Sequence, residues 1–364
     1  MKNIQHIDSP ALLVSPEKVK HNVHEMIRMV NGDVNRLRPH IKTHKTHEGI
    51  RLTMDAGIYK FKCATIAEAE LLALNNVKDV LIAHQPTSQK LERIIQLIRN
   101  YPQTKFSILI DNVETANSIS SALKKESLKL DVFVDINVGM NRTGILPGVQ
   151  AVRLVDEIAK LPSLQFIGLH VYDGQHRQAN FTEREDACFY AFQPVYGLIE
   201  MLKLSGHSCP TIVAGGTPTF SIHCKHADRE CSPGTHIFWD HGYGTICQEQ
   251  NFVPAVQVLT RVISIPDTNR ICLDLGHKAI ASENEISKRI YFPQHPDLKP
   301  VSQSEEHLVM ETQGDHSFKV GDELIGIPYH ICPTVALHES LYAVENDQVI
   351  GEWKVEARKR KINY

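Results

Sequence analysis

The 364-residue chain has no cysteines paired at metal-finger spacing, no strong charge of either sign and no long apolar run, and each absence removes a class of protein. Its cysteines, at 63, 188, 209, 224, 231, 247, 272 and 332, contain no CxxC pair, which speaks against a zinc-finger cluster and against a disulfide framework. They read instead as mostly buried thiols. With 39 basic and 42 acidic residues the net charge is −3 with histidine neutral, too weak a field to attract nucleic acid or an anionic membrane. No stretch approaches the roughly 20 apolar residues that span a bilayer. The start, MKNIQHIDSPALLV, lacks a basic region followed by an apolar core and a cleavage site. The expectation is a cytoplasmic protein with no nucleic-acid and no membrane partner. Internal repeats and low-complexity segments are also missing.

What is present is an ordinary globular composition, 42% hydrophobic and 22% charged, in a length that suits two domains of roughly 100–200 residues each. The 20 histidines stand out as groups that titrate or bind metal near neutrality. Ser15 can cap a helix in which Val19, Val23, Met26, Ile27 and Val30 recur at helical spacing until Asn31-Gly32 ends it. A strand-like stretch then reaches Lys42. Seven further β-rich runs, at residues 61–65, 80–83, 106–110, 132–136, 166–172, 211–214 and 236–239, alternate with helix-length segments. Eight such strands, several of them apolar on both faces, predict a parallel (β/α)8 TIM-type barrel over residues 12–250. From Asn251 the pattern changes to alternating stretches such as FVPAVQVLTRVISI and DELIGIPYHI, with no helix of comparable length. That predicts a mainly antiparallel β domain of residues 251–364. The basic tail, residues 356–361, reads as a solvated end.

Four constellations carry chemistry. In Arg38-Pro39-His40-Ile41-Lys42-Thr43-His44-Lys45 a strand period of two puts His40, Lys42 and His44 on one face. Lys42 at a barrel mouth is a candidate imine former, activated by burial and by the neighbouring cations Arg38 and Lys45 and the two histidines; the plainer alternative is a solvated basic strand end. Val213-Ala214-Gly215-Gly216-Thr217, echoed by Ser232-Pro233-Gly234-Thr235, offers backbone N–H groups and hydroxyls to a phosphate late in the barrel, although glycine turns also simply end strands. Arg142, in the glycine-flanked run DINVGMNRTG, can donate to an anionic oxygen or make an ordinary surface ion pair. His330 and Cys332, two apart in a stretch read as extended, share a face and can hold one metal, with zinc favoured over manganese or magnesium by the imidazole and thiolate donors. A buried cysteine beside a satisfied histidine explains the same residues.

Taken together and in order, RPHIKTHK, DINVGMNRTG, GLHVYDGQ, AGGTPT, ECSPGTHIFWD, LDLGHKAIASE, SEEH and PYHICPTV resemble the D-threonine aldolase and D-serine dehydratase family. The resemblance runs from Asp8 to Trp353. It implies an alanine-racemase-like fold, in which a barrel precedes a β domain that the N-terminal strand joins, with pyridoxal phosphate as cofactor. It further implies that Lys42 is the Schiff-base lysine and that Gly215, Gly216, Thr217, Gly234 and Thr235 bind the phosphate. Arg142 then faces the cofactor, Tyr172 lies near the pyridine ring, and His330 and Cys332 hold a divalent metal. The family site forms where the β domain meets a barrel mouth, often that of a second subunit, so a homodimer is implied. The substrate class is a small D-3-hydroxy amino acid. Retro-aldol cleavage of a D-threonine-like substrate to glycine and an aldehyde, with His176 taking the hydroxyl proton, is the reaction expected from Tyr172 and the YDGQH run. Cysteine as the second metal ligand points instead to dehydration of D-serine or D-3-hydroxyaspartate, giving a 2-oxo acid and ammonia. Amino-acid racemisation and non-catalytic cofactor binding are the weaker readings.

Overall fold

The computed structural model describes residues 4–314 and 316–364. They form two compact units interleaved along the chain: a barrel unit of residues 26–42, 53–234 and 359–364, and a β unit of residues up to 25, 43–52 and 235–358. The interleaving begins with β1 (Ala11–Val14), which pairs with strands of the β unit. The Ser15 hydroxyl then accepts from the Lys18 N–H and opens the helix Pro16–Met29. Asn31 and Gly32, both at positive φ, end it in the left-handed exit these residues tolerate.

In the barrel unit β2 (Lys60–Cys63), β3 (Asp79–Ile82), β4 (Lys105–Ile110), β5 (Leu130–Asn137), β6 (Leu164–Tyr172), β7 (Thr211–Ala214) and β8 (Glu230–Cys231) lie side by side in that order. Every pair is parallel. Runs such as Phe106–Ile110 are buried at each position, as strands covered on both faces must be. Thr65, Asn112 and Asn180 cap three of the intervening helices by accepting from the N–H three residues on, so those βα turns are each fixed by one polar side chain.

The eighth stave departs from expectation. The segment expected to be a strand ending at Lys42 makes only two bridges, Leu37 to Cys231 and His40 to Lys62, one with each edge strand of the sheet. Pro39 has no N–H to extend a ladder, and the chain turns into a 3-10 helix, Ile41–Thr43. The period-two placement of His40, Lys42 and His44 on one face therefore fails. The run 236–239 is likewise not a strand: Thr235–Ile237 is a 3-10 turn, and the short Glu230–Cys231 just before it completes the sheet. Ile237 and Phe238 bury themselves in the core of the β unit instead.

That unit is built on β9 (Val256–Asp267), β10 (Arg270–Leu273), β11 (Ile290–Tyr291), β12 (Lys299–Gln303), β13 (Leu308–Glu311), β14 (Glu323–Pro328), β15 (Ser340–Glu345) and β16 (Gln348–Lys354). The sheet order is β12-β13-β10-β9-β1-β15-β16, with β14 also on β9 and β11 on β14. All pairs are antiparallel except β1 with β15. Leu12, Val14, Val256, Val258, Ile271, Leu273, Leu308 and Leu341 form its core, each burial contributing roughly 1.5–3 kcal/mol. The tail is not wholly solvated. Glu70 accepts from the Asn363 side chain at 2.8 Å, and Arg93 donates to the Arg360 and Tyr364 carbonyls. Six of the eight cysteines are buried. Among the described residues no helix is long and apolar enough to cross a membrane.

Candidate active site

The C-terminal ends of the barrel strands surround a cavity of about 560 Å³, inside the range of small-molecule sites. His40, Lys42, Lys62, Asp135, Arg142, His170 and Tyr172 are among its lining side chains. The 3-10 turn that replaced the predicted strand end leaves Lys42 exposed to this space, with its backbone N–H donating to His40 Nδ1 at 3.1 Å. Arg142 also reaches the cavity, its guanidinium 5.0 Å from the centre of the Tyr172 ring.

Two of the groups expected to activate Lys42, Arg38 and His44, are otherwise engaged. Arg38 is buried and held by Asp79 at 2.6 Å and Glu230 at 2.7 Å. His44 belongs to the β unit, where burial, aided by His236 and Lys45, brings its pKa down to about 3 and keeps it neutral. The cavity's second amine is one the sequence reading missed, Lys62, on the strand between Phe61 and Cys63. Burial and then the charge of Lys42 lower the Lys62 ammonium to about 7, against the pull of Asp135. Its Nζ lies 3.4 Å from His170 Nε2, and His170 Nδ1 lies 2.7 Å from Asp135 Oδ1. The carboxylate can only accept, so His170 donates from Nδ1 and offers its Nε2 lone pair to Lys62. A lysine in the middle of a buried parallel strand was the available signal.

Behind Tyr172 lies a second polar network. Asp173 accepts from Thr219 Oγ1 at 2.6 Å, His223 Nε2 at 2.7 Å and Cys188 Sγ at 3.1 Å, all buried. Burial pushes the Asp173 carboxyl up, and these bonds from His223, Thr219 and Cys188 more than reverse it, to about 2. Asp173, Cys188 and His223 are close enough to hold a metal. The far side of the imidazole argues otherwise: Arg229 lies 3.0 Å from His223 Nδ1 and has only protons to give. Nδ1 therefore accepts, Nε2 carries the proton, and no lone pair remains there for an ion.

The glycine loop rests on this network. Gly215 adopts φ +74°, and a Cβ on it would meet the His223 ring at 2.5 Å; one on Gly216 would meet the Tyr172 ring at 2.8 Å. Only glycine lets the backbone lie that close. Gly216 N–H donates to Thr219 Oγ1 at 3.3 Å and Gly234 N–H to Thr217 Oγ1 at 3.2 Å, so hydroxyls organise both loops. Thr235 is buried in the β unit. His176, in the turn after β6, is half-buried beside Gln175 Nε2 at 3.2 Å, its pKa lowered by burial, and is not among the side chains lining the cavity.

In the β unit His330 and Cys332 do not lie on a strand. His330 is the N-cap of the helix Ile331–Leu337 and Cys332 is in its first turn, so a helix start rather than an extended face brings them together. Cys332 Sγ lies 3.1 Å from Thr43 Oγ1 and 3.5 Å from Thr235 Oγ1. His330 Nδ1 hydrogen-bonds Glu283. Burial lowers the His330 pKa, but Cys332, Glu283 and Asp240 together raise it to about 9.

Two family models match the chain, "Alanine racemase, N-terminal domain" over residues 14–241 and "Putative serine dehydratase domain" over residues 255–344. A D-threonine aldolase from Arthrobacter sp is 27% identical, covering 98% of this chain and 94% of that protein. A D-serine dehydratase from Dictyostelium discoideum is 24% identical, with 97% of each covered. The crystal structure of D-threonine aldolase from Filomicrobium marinum superposes with a TM-score of 0.90 at 28% identity, over 98% of this chain and 96% of that one.

Proposed function

The chain belongs to the alanine racemase N-terminal domain family, and from that premise we propose that it is a pyridoxal phosphate- and divalent metal-dependent lyase acting on D-3-hydroxy amino acids, cleaving D-threonine-like substrates to glycine and an aldehyde. The observation that carries this reading is Lys42 opening onto a ligand-sized cavity together with Arg142 and Tyr172, with the Gly216 backbone packed against the same tyrosine ring. The residues fit the cofactor: an accessible amine, a cation and an aromatic ledge, and glycine loops shaped by hydroxyls. When bound, pyridoxal phosphate supplies an electron sink for the bonds at the substrate Cα. Lys42 would anchor it through Nζ, Arg142 would donate to an anionic oxygen of the ring, and the amides and hydroxyls of Gly215, Gly216, Thr217, Gly234 and Thr235 would hold the phosphate.

The donors of His330 and Cys332 fit zinc, and the carboxylate of Glu283 behind the imidazole is the usual outer partner of a metal-bound histidine. Held by His330 and Cys332, such an ion would supply Lewis acidity that makes the proton of a substrate hydroxyl easier to remove. His176 would take that proton as the Cα–Cβ bond breaks, leaving the carbonyl of the aldehyde. The dehydration alternative is favoured by one observation, the cysteine at position 332. In that case Lys42 would take the α-proton and the hydroxyl would leave. A homodimer, a cytoplasmic setting, and a division of labour between residues 12–250 for the cofactor and 251–364 with 1–11 for the metal complete the proposal.

The test is product identification after incubating the cofactor- and zinc-loaded protein with D-threonine and D-serine. Glycine with acetaldehyde from D-threonine is expected. A 2-oxo acid with ammonia would replace cleavage by dehydration, and no turnover of either substrate would contradict lyase action on this class.

A further inference from the structure

Two lysines share the barrel cavity, and the proposed chemistry uses only Lys42. We propose that Lys62, steered by His170 and Asp135, is the cavity's own proton acceptor, holding the proton that an incoming substrate ammonium must shed before its amine can take the place of Lys42. This rests on the reading of Lys42 as the cofactor's anchor.

The geometry assigns direction to each proton. Asp135 Oδ1 accepts from His170 Nδ1 at 2.7 Å, which leaves His170 Nε2 as an acceptor toward Lys62 Nζ at 3.4 Å. Thr143 also bonds the Asp135 carboxyl and, with His170, holds it below the ordinary carboxylate range despite burial. One N–H of Lys62 is thereby committed to His170, while the amine also lines the cavity together with Lys42. A neutral Lys62 can accept a proton on its lone pair without breaking the His170 bond. Substrate ammonium and Lys62 amine become substrate amine and Lys62 ammonium, with one proton moved and no other reactant. The return of the proton to solvent or product restores the start.

The surroundings place this ionisation near neutral pH. Lys42 and Arg38 face Lys62 with positive charge, Asp135 and Asp173 with negative, and His170, His40 and the Tyr172 ring, 5.9 Å from Nζ, complete the wall. Arg38 is offset by Asp79 and Glu230, and Asp173 by its own donors, so burial and Lys42 prevail over Asp135. Near neutral pH the cavity then has an amine ready to receive, as general acid–base chemistry requires.

The test is a pH titration of the cofactor absorbance of the holoprotein, because a charge appearing beside a conjugated ring moves its band. The wild type is expected to show a pH-dependent step near neutrality, with the burial that lowers the Lys62 ammonium kept in the holoprotein. Lys62→Met should lose the step and keep the spectrum that the wild type has above it. Lys62→Arg, which cannot deprotonate, should lose it and keep the spectrum found below. Should both variants fold poorly, Asp135→Asn removes the anion that favours the Lys62 ammonium and should move the step to lower pH. A wild type with no step near neutrality, or a step unmoved in these variants, overturns the inference. Lys42→Ala separates the two readings: loss of the band there leaves Lys42 as the anchor. A band that survives Lys42→Ala and vanishes in Lys62→Met makes Lys62 the attachment point and overturns both.

Discussion

Two clusters in this chain combine histidine, cysteine and a carboxylate at close range, and they are chemically opposite. Around His223 the partners are Asp173, Cys188 and, on the far nitrogen, Arg229; around His330 they are Cys332 and, on Nδ1, Glu283. An arginine can only donate, which forces the proton of His223 onto the side facing Asp173 and closes that nitrogen to a metal. A carboxylate can only accept, which draws a proton to His330 Nδ1 and leaves Nε2 to an ion once its own proton is lost. Proximity of ligand types is thus a poor criterion for a metal site. The partner on the remote nitrogen decides.

The comparison breaks most decisively at the two cysteines. On the proposed metal assignment, Cys332→Ala is expected to remove bound zinc and cut turnover by more than about 100-fold, whereas Cys188→Ala should retain wild-type zinc by elemental analysis of the purified holoprotein. Next in size is Asp173→Asn, which unbalances a buried network and should cost roughly 3 kcal/mol in urea unfolding. The same residue predicts a pH window. Its folded pKa of about 2 lies below the ordinary 3.8, so its stabilisation is complete above about pH 4 and is lost as pH falls toward 2. In the asparagine variant that part of the acid slope should disappear. Glu283→Gln, which keeps the shape but weakens the acceptor behind His330, should loosen zinc about 10- to 100-fold in a competition titration with a chelator. The smallest effect is expected at the edge of the His223 network. Gly216→Ala must displace the Tyr172 ring and should weaken pyridoxal phosphate binding by about 1 kcal/mol, roughly five-fold, as followed by fluorescence.

What the sequence disclosed depended on whether the signal was local. Parallel strands buried on both faces, such as Phe106–Ile110, announce themselves as apolar runs, and caps such as Ser15 and the exit at Asn31-Gly32 are read from single residues. The barrel followed by a β domain was legible for that reason; Lys42 and Arg142 were local candidates with plainer alternatives and Tyr172 came from the family resemblance alone, and the three line one cavity. Period-two reasoning failed at both the Lys42 and the His330-Cys332 constellations, because a 3-10 turn starts at Ile41 and a helix at Ile331 where extended chain was expected. Local pattern does not register Pro39 interrupting a ladder, or an apolar run such as 236–239 that is buried as a turn. The pairing of β1 with β9 and β15 and the bond joining Asp173 to His223 link residues far apart in the chain. Lys62 was overlooked because a lysine alternating with apolar residues in the short run KFKC carries no motif. Its meaning comes from His170 and Asp135 on two other strands.

The most direct test of the whole account is borohydride reduction of the pyridoxal phosphate-loaded protein followed by peptide mapping of the fixed cofactor. A single adduct on Lys42 is predicted, absent in Lys42→Ala. An adduct on Lys62 or on any other residue, or none at all, would contradict it.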